Sequence, residues 1–159
     1  MPASIHIRKA ITDDIPFLVG SNQSLARETE GKNLDSDVVH QGVRSFIAQP
    51  ENGFYLIAEI GGLSAGSLMI TLEWSDWRNG FFWWIQSVYV KSNFRRQGVY
   101  RALTQQVRVL ASLEKNVCGF RLYVEKENGV AQETYRSLGM VETNYRMFEE
   151  PLDLGTKMG

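Results

Sequence analysis

At 159 residues the chain can bury about two-thirds of its unfolded surface in one hydrophobic core, so a single domain over residues 1–159 is expected, without disulfide or metal staples. Its 17 basic and 18 acidic side chains nearly cancel, which removes any electrostatic case for nucleic acid or an anionic membrane as partner. Cys118 is the one cysteine and excludes an internal disulfide, while His6 and His40 stand far apart with no Cys/His cluster of metal-ligand spacing, so no metal site is expected. There is no apolar run long enough to span a bilayer, and the opening MPASIHIRKA lacks the apolar stretch of a signal peptide; a cytoplasmic protein is the expectation.

In chain order, Ile5 and Ile7 alternate with His6 and Arg8 as a first strand, and Thr12-Asp13-Asp14 reads as a helix start. Pro16 falls in that helix's first turns, where proline is tolerated, and the helix is expected to reach about Thr29. A polar link, EGKNLDS, precedes a second helix over residues 37–48. Strands over residues 54–60 and 63–74 flank Gly61-Gly62, a pair suited to a two-residue hairpin. SDWRNG, with its turn at Asn79-Gly80, leads to a long strand over residues 81–90. The next helix, residues 98–113, carries Val99, Leu103, Val107 and Leu110 as an apolar stripe. A strand over 120–124, a helix over 128–138 and a terminal strand over 145–148 complete the order β-α-α-β-β-β-α-β-α-β, an α/β domain with a mixed sheet flanked by helices. Cys118, just ahead of FRLYV, is expected to act as a small core residue.

The stretch with most chemistry is IQSVYVKSNFRRQGVYRAL, residues 85–103, where a β-branched and aromatic run gives way to an Arg- and Gly-bearing turn and then a helix. A helix start leaves its first N–H groups without intrahelical partners and carries about half a positive charge, so it holds a phosphate through amides and dipole together. Gly98 allows close approach to the backbone, and Arg95, Arg96 and Arg101 suit a ligand with several phosphates. Neither GxxxxGK[ST] nor GxGxxG occurs, which argues against an NTPase and a dinucleotide-dependent dehydrogenase.

A second segment, ENGVAQETYRSLGM over residues 127–140, has Asn128 as an N-cap, Ala131, Tyr135 and Leu138 on one helical face, and Gly139 where a left-handed C-cap belongs. The two segments together resemble the GNAT superfamily of N-acetyltransferases. RRQGVY occupies that family's [RQ]xxGx[GA] pyrophosphate loop, and NGVAQETYRSLGM matches its Asn-xx-Ala-xxx-Tyr helix. Tyr100 departs from the pattern, standing where the family has a small residue, so its side chain must turn away from the pyrophosphate or lie along the cofactor.

The resemblance implies a mostly antiparallel sheet whose fourth and fifth strands splay apart, with the pantetheine arm of acetyl-CoA in the gap and CoA as product. It implies that Val88, Tyr89 and Val90 bind the arm and the acetyl carbonyl, and that Gln97, Gly98, Val99, Tyr100 and Arg101 line the pyrophosphate with Arg95 and Arg96. Asn128, Ala131 and Tyr135 would complete the cofactor site from the second motif. Tyr135 is the candidate proton donor to the departing sulfur, since a phenol with pKa near 10 is protonated at pH 7. The family's glutamate on the fourth strand falls near Gln86, which cannot take a proton; Glu28, Glu30 and Glu73 are alternative routes through water.

On the acceptor side, all four tryptophans, Trp74, Trp77, Trp83 and Trp84, fall in WSDWRNGFFWW. Alternation places Phe82, Trp84, Gln86 and Val88 on one face of the strand and Phe81, Trp83, Ile85 and Ser87 on the other, as sheet packing or as a substrate wall. Trp84 and Gln86 are the candidates to meet the acceptor, and Glu28, Glu30 and Asp35 could attract a cationic amine. The expected function is acetyl transfer from acetyl-CoA to a primary amine of a small molecule or protein, and the alternative is a non-catalytic CoA-binding regulatory or interaction module. A homodimer is compatible with either.

Overall fold

A computed structural model describes residues 4–153. The chain divides into two compact units, Met1–Leu122 and Tyr123–Gly159.

The first unit is a five-stranded sheet in sequence order: β1 (Ile5–Lys9), β2 (Gly53–Ile60), β3 (Leu63–Ser75), β4 (Gly80–Val90) and β5 (Val117–Arg121). β1 to β4 are antiparallel neighbours and β5 runs parallel to β4. The β2–β3 hairpin closes on Gly61 and Gly62, both at positive φ (58° and 79°), the turn whose twist matches the flanking strands. The β3–β4 turn differs from the expected Asn79-Gly80 pair: Asn79 takes the left-handed conformation, but Gly80 is already paired with Ser75 as the first residue of β4.

Helices cover both faces. α1 (Ile15–Glu30) and α2 (Ser36–Ile47) lie on one, where Ile15, Leu18, Val19 and Val43 pack with Tyr55 and Ile57. α3 (Val99–Ser112) lies on the other, where Val99, Leu103 and Val107 meet Leu56, Leu68, Ile70, Trp83 and Ile85. The apolar stripe read from the sequence thus buries itself on the sheet; Leu103 and Val107 are 0% and 1% exposed. The first helix follows a short 3₁₀ turn over Thr12–Asp14. Buried Asp14 accepts the Ile11 N–H at 2.8 Å and a two-pronged bond from Arg8 at 2.7 and 2.8 Å, joining β1 to the helix start. Gly31 in the left-handed conformation ends α1, and Asp35 caps α2 by accepting the Val38 N–H at 3.0 Å.

The second unit contains α4 (Gly129–Ser137). Asn128 caps it by accepting the Ala131 N–H at 3.1 Å, and Gly139 at φ 92° ends it. Met140 N–H reaches back to the Tyr135 carbonyl and Gly139 N–H to that of Arg136, so the last carbonyls are satisfied. No residue over 123–153 is buried.

Two expectations are corrected here. Residues 145–148 form no strand among the described residues, because a strand needs a neighbour for its backbone groups and sequence alternation cannot supply one. β5 begins at Val117, three residues before the expected start, which puts Cys118 inside the strand with its side chain exposed.

Candidate active site

β4 carries the first feature of the site. Its pairing with β5 covers Phe81 to Trp84 only, so from Ile85 onward the strand has no neighbour on that side among the described residues. Ser87 sits at φ 50°, and two residues of β4, Ser87 and Val88, oppose the single step between Ser67 and Met69 on β3. This is a β-bulge, and it resets the alternation of the strand. The expected faces therefore hold only up to Gln86. Val88 packs with the α3-side core together with Trp83 and Ile85, against the expectation that it would share a face with Trp84 and Gln86, and Tyr89 turns to the α1 side.

Beyond the bulge, Lys91 N–H donates to the Ala65 carbonyl at 2.8 Å, which fixes the ladder and leaves Val90, opposite Gly66, between two hydrogen-bonded positions. The N–H and C=O of Val90 accordingly point away from β3, toward the unpaired edge.

The second feature is the start of α3. Gly98 is its N-cap at φ 86°, and Arg96, two residues earlier, is at φ 65°. Left-handed residues alternating with ordinary ones turn successive N–H groups to one side, the concave geometry that receives anions. The first rung of the helical ladder is Ala102 N–H to the Gly98 carbonyl at 3.0 Å, so the amides of residues 99–101 precede it. No acidic side chain occupies the first turn, and Gly98 has open space where a Cβ would be. Arg96 and Arg101 are exposed beside it.

Not every arginine of the loop serves the cradle. Arg95 turns back: its Nε donates to the Val90 carbonyl at 2.9 Å and a terminal nitrogen to Glu28 Oε1 at 2.7 Å. Tyr89 donates its hydroxyl to Glu28 Oε2 at 3.0 Å. The Glu28 carboxyl is held below its usual range by the hydrogen bond from Arg95, against a smaller opposing effect of burial. Gln97 is likewise engaged, donating its side chain to the Asn93 carbonyl at 3.2 Å.

Farther back on β4, on the face that carries α1, lies a polar strip that alternation alone did not reveal. Gln86 donates to Thr71 Oγ1 at 2.7 Å, Trp84 donates its indole N–H to Glu73 Oε1 at 3.2 Å, and Arg121 donates to the same oxygen at 2.7 Å. The register pairs Thr71 with Trp84 and Glu73 with Phe82, so these groups are neighbours by the sheet's own geometry. The guanidinium of Arg121 also lies 3.6 Å from the centre of the Phe82 ring. The tryptophans divide: Trp83 is core, in edge contact with Phe54, Trp84 is half-buried, and Trp74 and Trp77 are exposed near the hairpin tip. Glu30 stands apart, paired with Lys32 at 3.3 Å. Within the second unit, Asn128, Ala131 and Tyr135 are all half-buried on α4.

Residues 22–140 match the model of the acetyltransferase (GNAT) family. The chain belongs to this family. It is an acetyl-CoA-dependent acetyltransferase. Among solved structures, this acetyltransferase is similar to a possible acetyltransferase from Clostridium difficile 630, at 43% identity over 93% of this chain and 97% of the other, with a TM-score of 0.88. At lower identity it shares its fold with the aminoglycoside N-acetyltransferase AAC(6')-Iy in complex with CoA: 17% identity, 95% and 97% coverage, TM-score 0.76. The same holds for a predicted acetyltransferase with acetyl-CoA from Clostridium acetobutylicum: 19%, 92% and 96%, TM-score 0.74. No curated protein sequence matches the chain.

Proposed function

We propose that this acetyltransferase moves the acetyl group of acetyl-CoA directly to a primary amine of a small molecule or of a protein, within one functional domain over residues 1–159. The observation that carries the reading is the unpaired edge of β4 ending beside the amides of α3's first turn. An extended ligand with amide groups at one end and phosphates at the other fits that sequence of partners. Val88, Tyr89 and Val90 receive the arm, while Gly98, Val99, Tyr100, Arg101 and Arg96 receive the pyrophosphate.

In the reaction the amine nitrogen attacks the thioester carbon, a C–N bond forms, the C–S bond breaks, and one proton leaves the nitrogen while sulfur gains one. Backbone N–H groups at the β4 bulge stabilise the oxyanion, and Tyr135 protonates the sulfur. An alkyl ammonium costs about 4 to 5 kcal/mol to deprotonate at pH 7, so the amine needs an exit for its proton. Gln86 cannot take it, and Glu28, held ionised by Arg95, is a weak acceptor. Trp84 and Gln86 line the acceptor side. A cytoplasmic setting is supported by the exposed, unpaired thiol of Cys118, which suits a reducing compartment.

The test is CoA thiol release with a panel of amines that includes polyamines, lysine peptides and aminoglycosides, the last because AAC(6')-Iy binds the bisubstrate analog CoA-S-monomethyl-acetylneamine. Amine-dependent release supports the proposal; release that no amine accelerates refutes it.

A further inference from the structure

Glu28 lies in the last turn of α1 and Arg95 in the loop that opens the anion cradle, 67 residues apart in sequence, yet they share a 2.7 Å ion pair. Four contacts converge there. Arg95 bonds Val90's carbonyl and Glu28, its guanidinium stands 5.5 Å from the centre of the Tyr89 ring, and Tyr89 bonds the second Glu28 oxygen. Both charged side chains are 43% exposed. A pair so exposed adds little to folding, so stability does not account for the arrangement.

Geometry does. The Val90 carbonyl faces the open edge of β4, and Arg95 Nε takes one of its two lone pairs. A guanidinium can bond that carbonyl and a carboxylate at once because its donors form a rigid fork, which a lysine ammonium lacks. With its charge met by Glu28, Arg95 is turned from the cradle, and the loop's backbone is pinned on one side by Val90 and on the other by α1.

We propose that Glu28 is a positioning residue for acetyl-CoA: through Arg95 it sets the path of loop 91–98, and so the aim of the cradle amides, without touching the cofactor. This deepens the proposed function and rests on it. It gives α1, which borders the polar strip of the acceptor side, a direct mechanical tie to the phosphate loop.

The experiment is calorimetric titration of acetyl-CoA into wild type, Glu28→Met, Arg95→Lys and the double variant, with thermal unfolding of each. Expected are an affinity about five- to tenfold weaker in each single variant, a double variant no weaker than the singles because the two residues act as one unit, and unfolding temperatures close to wild type. Lysine at position 95 keeps a charge that could attract phosphate, so an affinity restored by Arg95→Lys overturns the clasp in favour of simple charge attraction. Wild-type affinity in Glu28→Met overturns it as well, and tighter binding there means that Arg95 is a phosphate ligand held in check by Glu28. If wild type itself fails to bind acetyl-CoA, both this inference and the reading beneath it fall.

Discussion

Replacing Gly98 by alanine separates the two roles assigned to the start of α3. The residue sits at φ 86°, a conformation that costs an L-residue about 1 to 2 kcal/mol, and an added Cβ meets no atom within 4 Å, so no steric cost adds to it. Alanine also narrows the unfolded ensemble, which returns about 0.4 to 1 kcal/mol. The net expectation is a loss of about 0 to 1.6 kcal/mol. Gly42 supplies the control: it lies inside α2, has the same open space and no positive φ, and Gly42→Ala should stabilise by about 0.5 to 1 kcal/mol. Urea denaturation of both variants, with unchanged slope, measures the pair. Affinity for acetyl-CoA, read by calorimetry, should fall in Gly98→Ala, fall further in Gly98→Glu, whose carboxylate repels the pyrophosphate, and stay at wild type in Gly42→Ala. Stabilisation by Gly98→Ala would contradict the strained cap, and wild-type affinity in a folded Gly98→Glu would remove the cradle.

The Arg8 hydrogen bonds hold the Asp14 carboxyl below its ordinary 3.8, so its contribution is full above about pH 4 and is lost as the pH falls through the lowered value. Asp14→Asn should cost about 2 to 3 kcal/mol at pH 7 and flatten the acid limb of the stability curve; an unchanged limb in denaturation from pH 7 to pH 2 would count against the assignment. Tyr135→Phe should bind acetyl-CoA as wild type does but turn over about a hundredfold more slowly, and equal rates at every pH would leave Tyr135 a packing residue. Ser87→Val places a β-branched side chain at φ 50°, where serine already bears the general left-handed cost, and should lose about 1 kcal/mol of stability; a neutral result by urea denaturation would mean that β4 has no bulge there.

Periodicity located α1 to α3 and the four antiparallel strands because each buries one stripe or one face. Val99, Leu103 and Val107 announce α3's buried side, and Gly61-Gly62 announces its hairpin. The bulge at Ser87 was hidden, since serine carries no signal for a left-handed backbone, and the slip sent Val88 to the face opposite to the one counted. The clasp of Glu28 with Arg95 and the Thr71–Gln86 and Glu73–Trp84 pairs were hidden for another reason. They are long-range contacts fixed by strand register and helix placement, which a local pattern does not encode. The Asn128 cap and the Gly139 stop were visible because capping is local.

Acetyl transfer from acetyl-CoA to an amine is tested most directly by mass spectrometry of the amine panel after incubation with acetyl-CoA and enzyme, alongside thiol release. One acetylated amine should form in step with free CoA and be abolished in Gly98→Glu. Tight binding of acetyl-CoA with no acetylated product from any amine would contradict it and leave a CoA-binding module without turnover.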